Sequence, residues 1–216
     1  MKFLLLFLLS LASCSGYRFS RIENPLAQYN INSLSVPMFY NYSNLPNVSA
    51  DFTRETYKLL MGFSGLKLYS GYRSEADAVL ICLVRSPEKL AETLRTKNLI
   101  LAQKRSANAL GKTRRDFYVP GTTSVQLTVQ VILIKKPSDE EIRLIAENYD
   151  PSASYASKVI LNEFVQVVSQ FSREVFDKNE GAEVIATQNS GILRKTTLSM
   201  SEQAATSIRD TILYAF

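Results

Sequence analysis

Few side chains in this sequence are of a kind that could carry covalent chemistry. Histidine is absent, which removes Ser-His-Asp and Cys-His catalysis and every His-ligated metal site. Of the two cysteines, Cys14 stands at the end of an apolar stretch and Cys82 inside another, Ala78-Val79-Leu80-Ile81-Cys82-Leu83-Val84. The second reads as a buried, unreactive thiol, and with Cys14 otherwise committed it has no disulfide partner. Ser64 and Lys67 make a Ser-x-x-Lys pair, a spacing that can activate a serine. No Lys-Thr-Gly accompanies it, and Tyr42-Ser43-Asn44 lies upstream of it. Gly111-Lys112-Thr113 ends like a phosphate-binding loop, but Ser106 stands where the first glycine is required and no apolar strand leads in. Asp139, Glu140 and Glu141 could form a carboxylate cluster, yet a helix N-terminus favours the same residues. No complete catalytic set emerges, so the chain is expected not to be an enzyme and to need no metal or dissociable cofactor.

Cys14 is the residue with a chemical future. Met1-Lys2 is a short basic start, Phe3 to Leu9 is unbroken and apolar, and Ser10-Leu11-Ala12-Ser13 ends in small residues. This is the pattern of a secretory signal, too short to span a bilayer. Leu11-Ala12-Ser13-Cys14 resembles the lipobox read by the bacterial lipoprotein signal peptidase. That resemblance implies cleavage before Cys14, a thioether-linked diacylglycerol on its sulfur and an N-acyl chain on its amino group. Ser15, rather than Asp, follows the cysteine, which in the common Gram-negative sorting rule implies the outer membrane. Two or more chains, at about 0.8 kcal/mol per buried methylene, make such an anchor stable. The competing reading is an ordinary cleaved signal with a coincidental cysteine.

The elements that remain must build one domain. Residues 1–13 form the signal peptide, 14–29 the lipidated cysteine and tether, and 30–216 a domain of ordinary size. The formal charge of +5 falls by one when Lys2 leaves. A mild positive excess favours an anionic partner, and nucleic acid is not expected after export. Asn30 to Phe39 reads as a strand with Leu34, Val36 and Met38 on one face, and Pro37 marks an edge strand or a strand end. Asn41 to Asn47 is turn-rich, and Ser49 can cap a helix from about Ala50 to Met61. Gly65 to Tyr72 reads as a short strand and Asp77 to Arg85 as a buried one. Residues 88–121 are polar and basic and are expected to be an insertion closed by a Pro120-Gly121 turn. Val125, Leu127, Val129, Val131 and Leu133 then alternate with Gln126, Thr128, Gln130, Ile132 and Ile134, which makes a strand. Ser138 and Glu141 form a capping box opening an acidic helix over 138–148, a second expected insertion. Lys158 to Phe176 fits a strand or a helix, with β-branched residues favouring strand. Ser199 and Glu202 form another capping box, opening a terminal helix striped with Ala204, Ala205, Ile208, Ile212 and Phe216. The sum is an α+β domain: a mixed sheet of about four strands with two main helices on one face.

Cys14-Ser15-Gly16-Tyr17-Arg18-Phe19, then Ile31-Asn32-Ser33-Leu34-Ser35-Val36-Pro37-Met38-Phe39, then Glu75-Ala76-Asp77-Ala78-Val79-Leu80 resemble, in that order, the LptE-type lipoproteins of lipopolysaccharide assembly. The similarity covers the chain to about residue 85. Beyond it only the order of elements agrees, and Cys82 takes a place where a small residue such as glycine is expected. The resemblance implies a non-enzymatic plug inside an outer-membrane β-barrel (LptD-like), which helps that barrel fold and contacts lipopolysaccharide. Arg85, Lys104, Arg105, Lys112, Arg114 and Arg115 carry the densest positive charge near a strand end and are the candidates for contacting its phosphates; a solvated loop explains them equally. The alternative function is a pilot or structural lipoprotein for another barrel or secretion complex.

Overall fold

The structure is a computed structural model, described here for residues 22–101, 117–173 and 182–216. Among these residues nine strands form: β1 (Ile22–Glu23), β2 (Ser33–Val36), β3 (Tyr40–Tyr42), β4 (Phe63–Ser64), β5 (Lys67–Ser70), β6 (Ala78–Arg85), β7 (Leu94–Leu101), β8 (Phe117–Lys135) and β9 (Val159–Ser172). The helices are α1 (Val48–Leu60), α2 (Leu90–Thr93), α3 (Asp139–Glu147) and α4 (Ala182–Ala215), with 3-10 turns at Pro25–Tyr29 and Ser154–Lys158. Seven strands join one mixed sheet in the order β5-β2-β6-β8-β7, with β3 also on β6 and β9 also on β8; β1 and β4 pair separately. The α+β class holds, and the two main helices share one face. The sheet is wider than the four strands expected.

The sheet turns on two strands. β6 is flanked on one edge by β2 and then β3, both parallel to it. Pro37, which cannot donate to a ladder, falls between them. Here the sequence reading of a strand end is right, but Met38 is 64% exposed rather than on the buried face with Leu34 and Val36. β8 pairs antiparallel with β6 through Thr128–Lys135 and with β7 through Phe117–Val125. Its other edge carries β9, so Val159–Ser172 is strand, as its β-branched residues suggest.

Side-chain alternation assigns the two layers. Leu80, Cys82, Val84, Val125, Leu127, Val129, Val131 and Leu133 pack with Phe52 and Leu60 of α1 and with Met200, Ala204, Ile208 and Ile212 of α4 in the main core. Each buried Val, Leu, Ile, Phe or Met among them contributes about 1.5–3 kcal/mol of transfer free energy. On the opposite face, Val79, Ile81, Leu83, Ile132 and Ile134 meet Ile142 and Ile145 of α3 and Tyr155. Cys82 is fully enclosed, and burial pushes its thiol pKa well above the usual range. The expected capping box at Ser138 is present, with Glu141 N donating to Ser138 Oγ and Ser138 N to the Glu141 carboxylate.

Five local expectations need correction. Ile22 to Tyr29 is not tether: Leu26 is fully buried, and Gln28 Nε2 donates to Phe216 O at 2.8 Å. The turn-rich 41–47 stretch begins inside β3. The N-cap of α1 is Asn47 in a left-handed conformation, not Ser49. Pro120 lies within β8 opposite Asn98, next to a register shift at Lys97/Asn98 that accommodates a residue without an N–H. The described residues of the expected insertion at 88–121 include α2, β7 and the start of β8, of which β7 and β8 belong to the sheet. Lastly, Ser199 and Glu202 lie inside α4, not at its start. The serines and threonines upstream mimic a cap, but Thr196 and Thr197 donate to the carbonyls of Ile192 and Leu193, satisfying their hydroxyls within the helix.

Candidate functional site

β8 changes character halfway along. From Val129 to Ile134 it is buried on both faces; from Thr122 to Thr128 its even-numbered side chains are half-exposed while the odd ones remain buried. α3 covers the former stretch, and no described element covers the latter. Register then places a set of side chains on this bare half-face. Gln126, Thr128 and Gln130 of β8 lie opposite Val168, Gln166 and Phe164 of β9. Arg95 and Lys97 of β7 lie opposite Ser124 and Thr122. Arg85, at the end of β6, lies opposite Thr128. Among the described residues that these four strands point to this face, none is Asp or Glu. Phe164 is 61% exposed and Val168 50%.

Where the bare half meets the α3 layer, a recess of roughly 430 Å³ opens between Arg85, Gln130, Asn162, Phe164 and Tyr149. Arg85 is carried there by β6 and held over the ring of Tyr42, 5.7 Å from its centroid. β3 brings in Tyr42, whose hydroxyl donates to Ala146 O at 2.7 Å. Gln130 Nε2 donates to Asn162 Oδ1 at 2.9 Å, fixing two carboxamides side by side. Arg85 Nε is buried and makes no hydrogen bond. A guanidinium with an unused donor, beside carboxamides and aromatic rings and away from carboxylates, is suited to an oxyanion or a phosphorylated sugar. It supplies no nucleophile.

The candidates from the sequence separate here. Arg85 is in the recess. Lys104, Arg105, Lys112, Arg114 and Arg115 lie outside the described residues, as does Cys14. Arg85 is registered with Thr128, and the described part of β8 begins roughly 35 Å of extended strand away, at Phe117. Tyr42, Gln130, Asn162 and Phe164 were missed as site residues. The polar alternation of β8 through Gln130, giving way to Ile132 and Ile134, was the signal that could have found them.

Of the rejected motifs, Gly111-Lys112-Thr113 lies outside the described residues and the other two have structural roles. Lys67 Nζ stacks 4.9 Å from the Tyr69 ring, and the Tyr69 contact raises its pKa, the opposite of what a general base requires. Glu141 is held below the usual carboxylate range, first by Lys158, whose Nζ lies 2.7 Å away, and by its capping bond to Ser138. Asp77, the residue of the Ala-Asp lead, ties β2 to β6. Its carboxylate accepts from Asn32 N and Ser33 N, both at 3.0 Å, and from Ser33 Oγ at 2.8 Å, while Asp77 N donates back to Ser33 Oγ. These bonds, led by the serine hydroxyl, lower its pKa. No group of three or more potential metal-ligating side chains occurs among the described residues, and no described helix is long and apolar enough to cross a membrane.

No family model and no curated protein matches the sequence. Solved structures with a similar arrangement include a hypothetical protein from Chlamydia trachomatis, at 9% identity and TM-score 0.40 over 85% of this chain and 99% of that one. Rare lipoprotein B from Shewanella oneidensis is similar at 9% identity and TM-score 0.38, over 85% and 98% of the two chains. A lipoprotein from Neisseria meningitidis is similar at 12% identity and TM-score 0.32, over 76% and 96%. Several of the solved structures similar to this chain are thus bacterial lipoproteins.

Proposed function

We propose that this chain is a non-enzymatic outer-membrane lipoprotein that plugs and helps assemble the lipopolysaccharide-translocating β-barrel, an LptD-like partner, and contacts lipopolysaccharide on its way to the surface. The observation that carries the reading is the bare half-face of the sheet. It is rich in amides and hydroxyls, carries no Asp or Glu among the described residues that its strands point to it, and is edged by Arg85, Arg95 and Lys97. Such a surface suits a hydrated barrel lumen and phosphorylated sugars, and it asks for no bond-making chemistry. The lipobox resemblance at Cys14 adds an anchor that delivers the domain to the membrane holding the barrel.

The test is a photo-crosslinking amino acid placed at Gln126 or Gln166, followed by recovery of adducts from outer membranes. The expected adduct is the lipopolysaccharide-assembly barrel. Recovery of a different barrel from both positions would replace this reading with the pilot role. In parallel, Arg85→Glu should weaken lipopolysaccharide binding, most at low salt where charge is least screened. Reversing Arg114 and Arg115 together asks the same question of the basic segment. Depletion should lower the amount of folded barrel and leave cells leaky to bulky hydrophobic antibiotics, while Cys14→Ala should abolish acylation and membrane fractionation.

A further inference from the structure

One end of the domain gathers features that the bare half-face does not use. β1 pairs with β4 there, Ile22 against Phe63. The Pro25–Tyr29 turn follows, and the Tyr29 ring meets the Phe216 ring edge-on at 4.8 Å. α1 leads into β4 and so into this pairing, and α4 ends beside Tyr29. Lys135, at the end of β8, donates from Nζ to Tyr29 O at 2.9 Å, and Lys136 N donates to Asp77 O at the start of β6. Among the described residues ten large hydrophobic side chains are exposed, and four of them are here: Ile22, Tyr29, Met61 at 57% and Tyr214 at 88%. Their neighbours include the exposed Lys67 and Lys136, but also Glu23 and Glu75, so apolar contact rather than net charge distinguishes this end.

The chain that precedes Ile22 sets what can lie against it. Between Cys14 and Ile22 the backbone spans at most about 28 Å when fully extended. A diacyl chain on Cys14 would therefore hold Ile22, and the surface around it, within that distance of the bilayer. We propose that this end, through Ile22, Tyr29, Met61 and Tyr214, rests directly on the lipid surface, which fixes the orientation of the domain on its anchor. The inference rests on the lipidation included in the proposed function. Tyrosine rings belong at headgroup level, and Ile22 and Met61 reach the acyl boundary. The local concentration supplied by the anchor lets a contact of this modest size persist. The bare half-face is left free for the barrel.

The experiment uses the full-length protein, processed and acylated in a bacterial host and reconstituted into phosphatidylethanolamine–phosphatidylglycerol vesicles. Met61→Cys, Tyr214→Cys and Val168→Cys are labelled singly with an environment-sensitive fluorophore; Cys82 is buried and does not compete. The labels at 61 and 214 should be quenched by brominated lipid and several-fold less accessible to aqueous iodide than the label at 168. Unlabelled protein gives an independent reading: amide exchange across Met61–Ser64 should slow on vesicles relative to the soluble Cys14→Ser chain. A Cys14-acylated protein whose three labels are equally open to iodide, with unchanged exchange, overturns this contact and leaves the anchor standing. Mass spectrometry showing no acyl chain on Cys14 overturns the anchor and this inference with it.

Discussion

The two halves of β8 are one strand in two environments. Between Val129 and Ile134 every side chain is buried, because α1 and α4 cover one face and α3 the other. Between Thr122 and Thr128 the helices still cover one face, but the other carries Thr122, Ser124, Gln126 and Thr128 into the open. On β9 the contrast is between faces: Leu161 and Val165 point to the main core and are buried, while Phe164 and Val168 stand out on the opposite face. Among the described residues no element forms a second layer over this half-face, and its polarity is the observation behind the partner proposed for it. A run of apolar residues marks a strand covered on both faces, and alternation marks one covered on a single face; β8 contains both, and the change between them marks the border of the site.

The largest expected effect tests that border directly. Ile132→Ala, in the doubly covered half, should lower unfolding free energy by about 2–5 kcal/mol in urea titrations. A loss below ~1 kcal/mol would mean that α3 does not seal the face. Asp77→Ala should cost about 2–3 kcal/mol, because it leaves backbone donors of β2 without their acceptor. Since the folded pKa of Asp77 is lowered, its contribution is complete above the unfolded carboxylate value of about 3.9 and disappears as pH falls through the lower folded value. Asp77→Asn should therefore flatten the acid limb of the stability profile below about pH 4; an unchanged limb would remove the clasp from the argument. Ser199→Ala separates the two readings of α4. A cap would lose about 1 kcal/mol, whereas an exposed interior position should be neutral or gain up to ~0.5 kcal/mol in thermal unfolding. Smallest of all, Gln126→Ala on the bare half should change stability by less than about 0.5 kcal/mol. A larger loss would show that the half-face is covered within the chain itself.

Much of the fold was legible where one physical signal dominated. The unbroken run Ala78–Val84 gave a buried strand, and the Ser138/Glu141 spacing gave a cap that forms as expected. Legibility failed where two signals competed. The hydroxyl-rich sequence of α4 placed the helix start at Ser199 because serine and threonine favour caps, and only their bonds to preceding carbonyls show a continuous helix. Lysines and arginines between 88 and 121 hid β7, since charge masks the alternation of an exposed strand. In the site, Arg85 was found from charge alone. Its partners Tyr42, Gln130 and Asn162 were not, because they come from β3, β8 and β9 and are joined only by register. The function of Asp77 was visible as a pattern and became physical only when its carboxylate met Ser33.

The contact between Gln28 and Phe216 joins residues 188 positions apart in sequence. Loop closure on that scale makes folding slow relative to local contacts. A chain that emerges amino end first presents the Pro25–Tyr29 segment long before the last turn of α4. The contacts of Gln28 and Tyr29 with Phe216 must therefore wait until that residue arrives. Docking of this segment is timed by the arrival of the last turn of α4, and a chain cut shortly before Phe216 should leave Pro25–Tyr29 undocked and open to proteolysis.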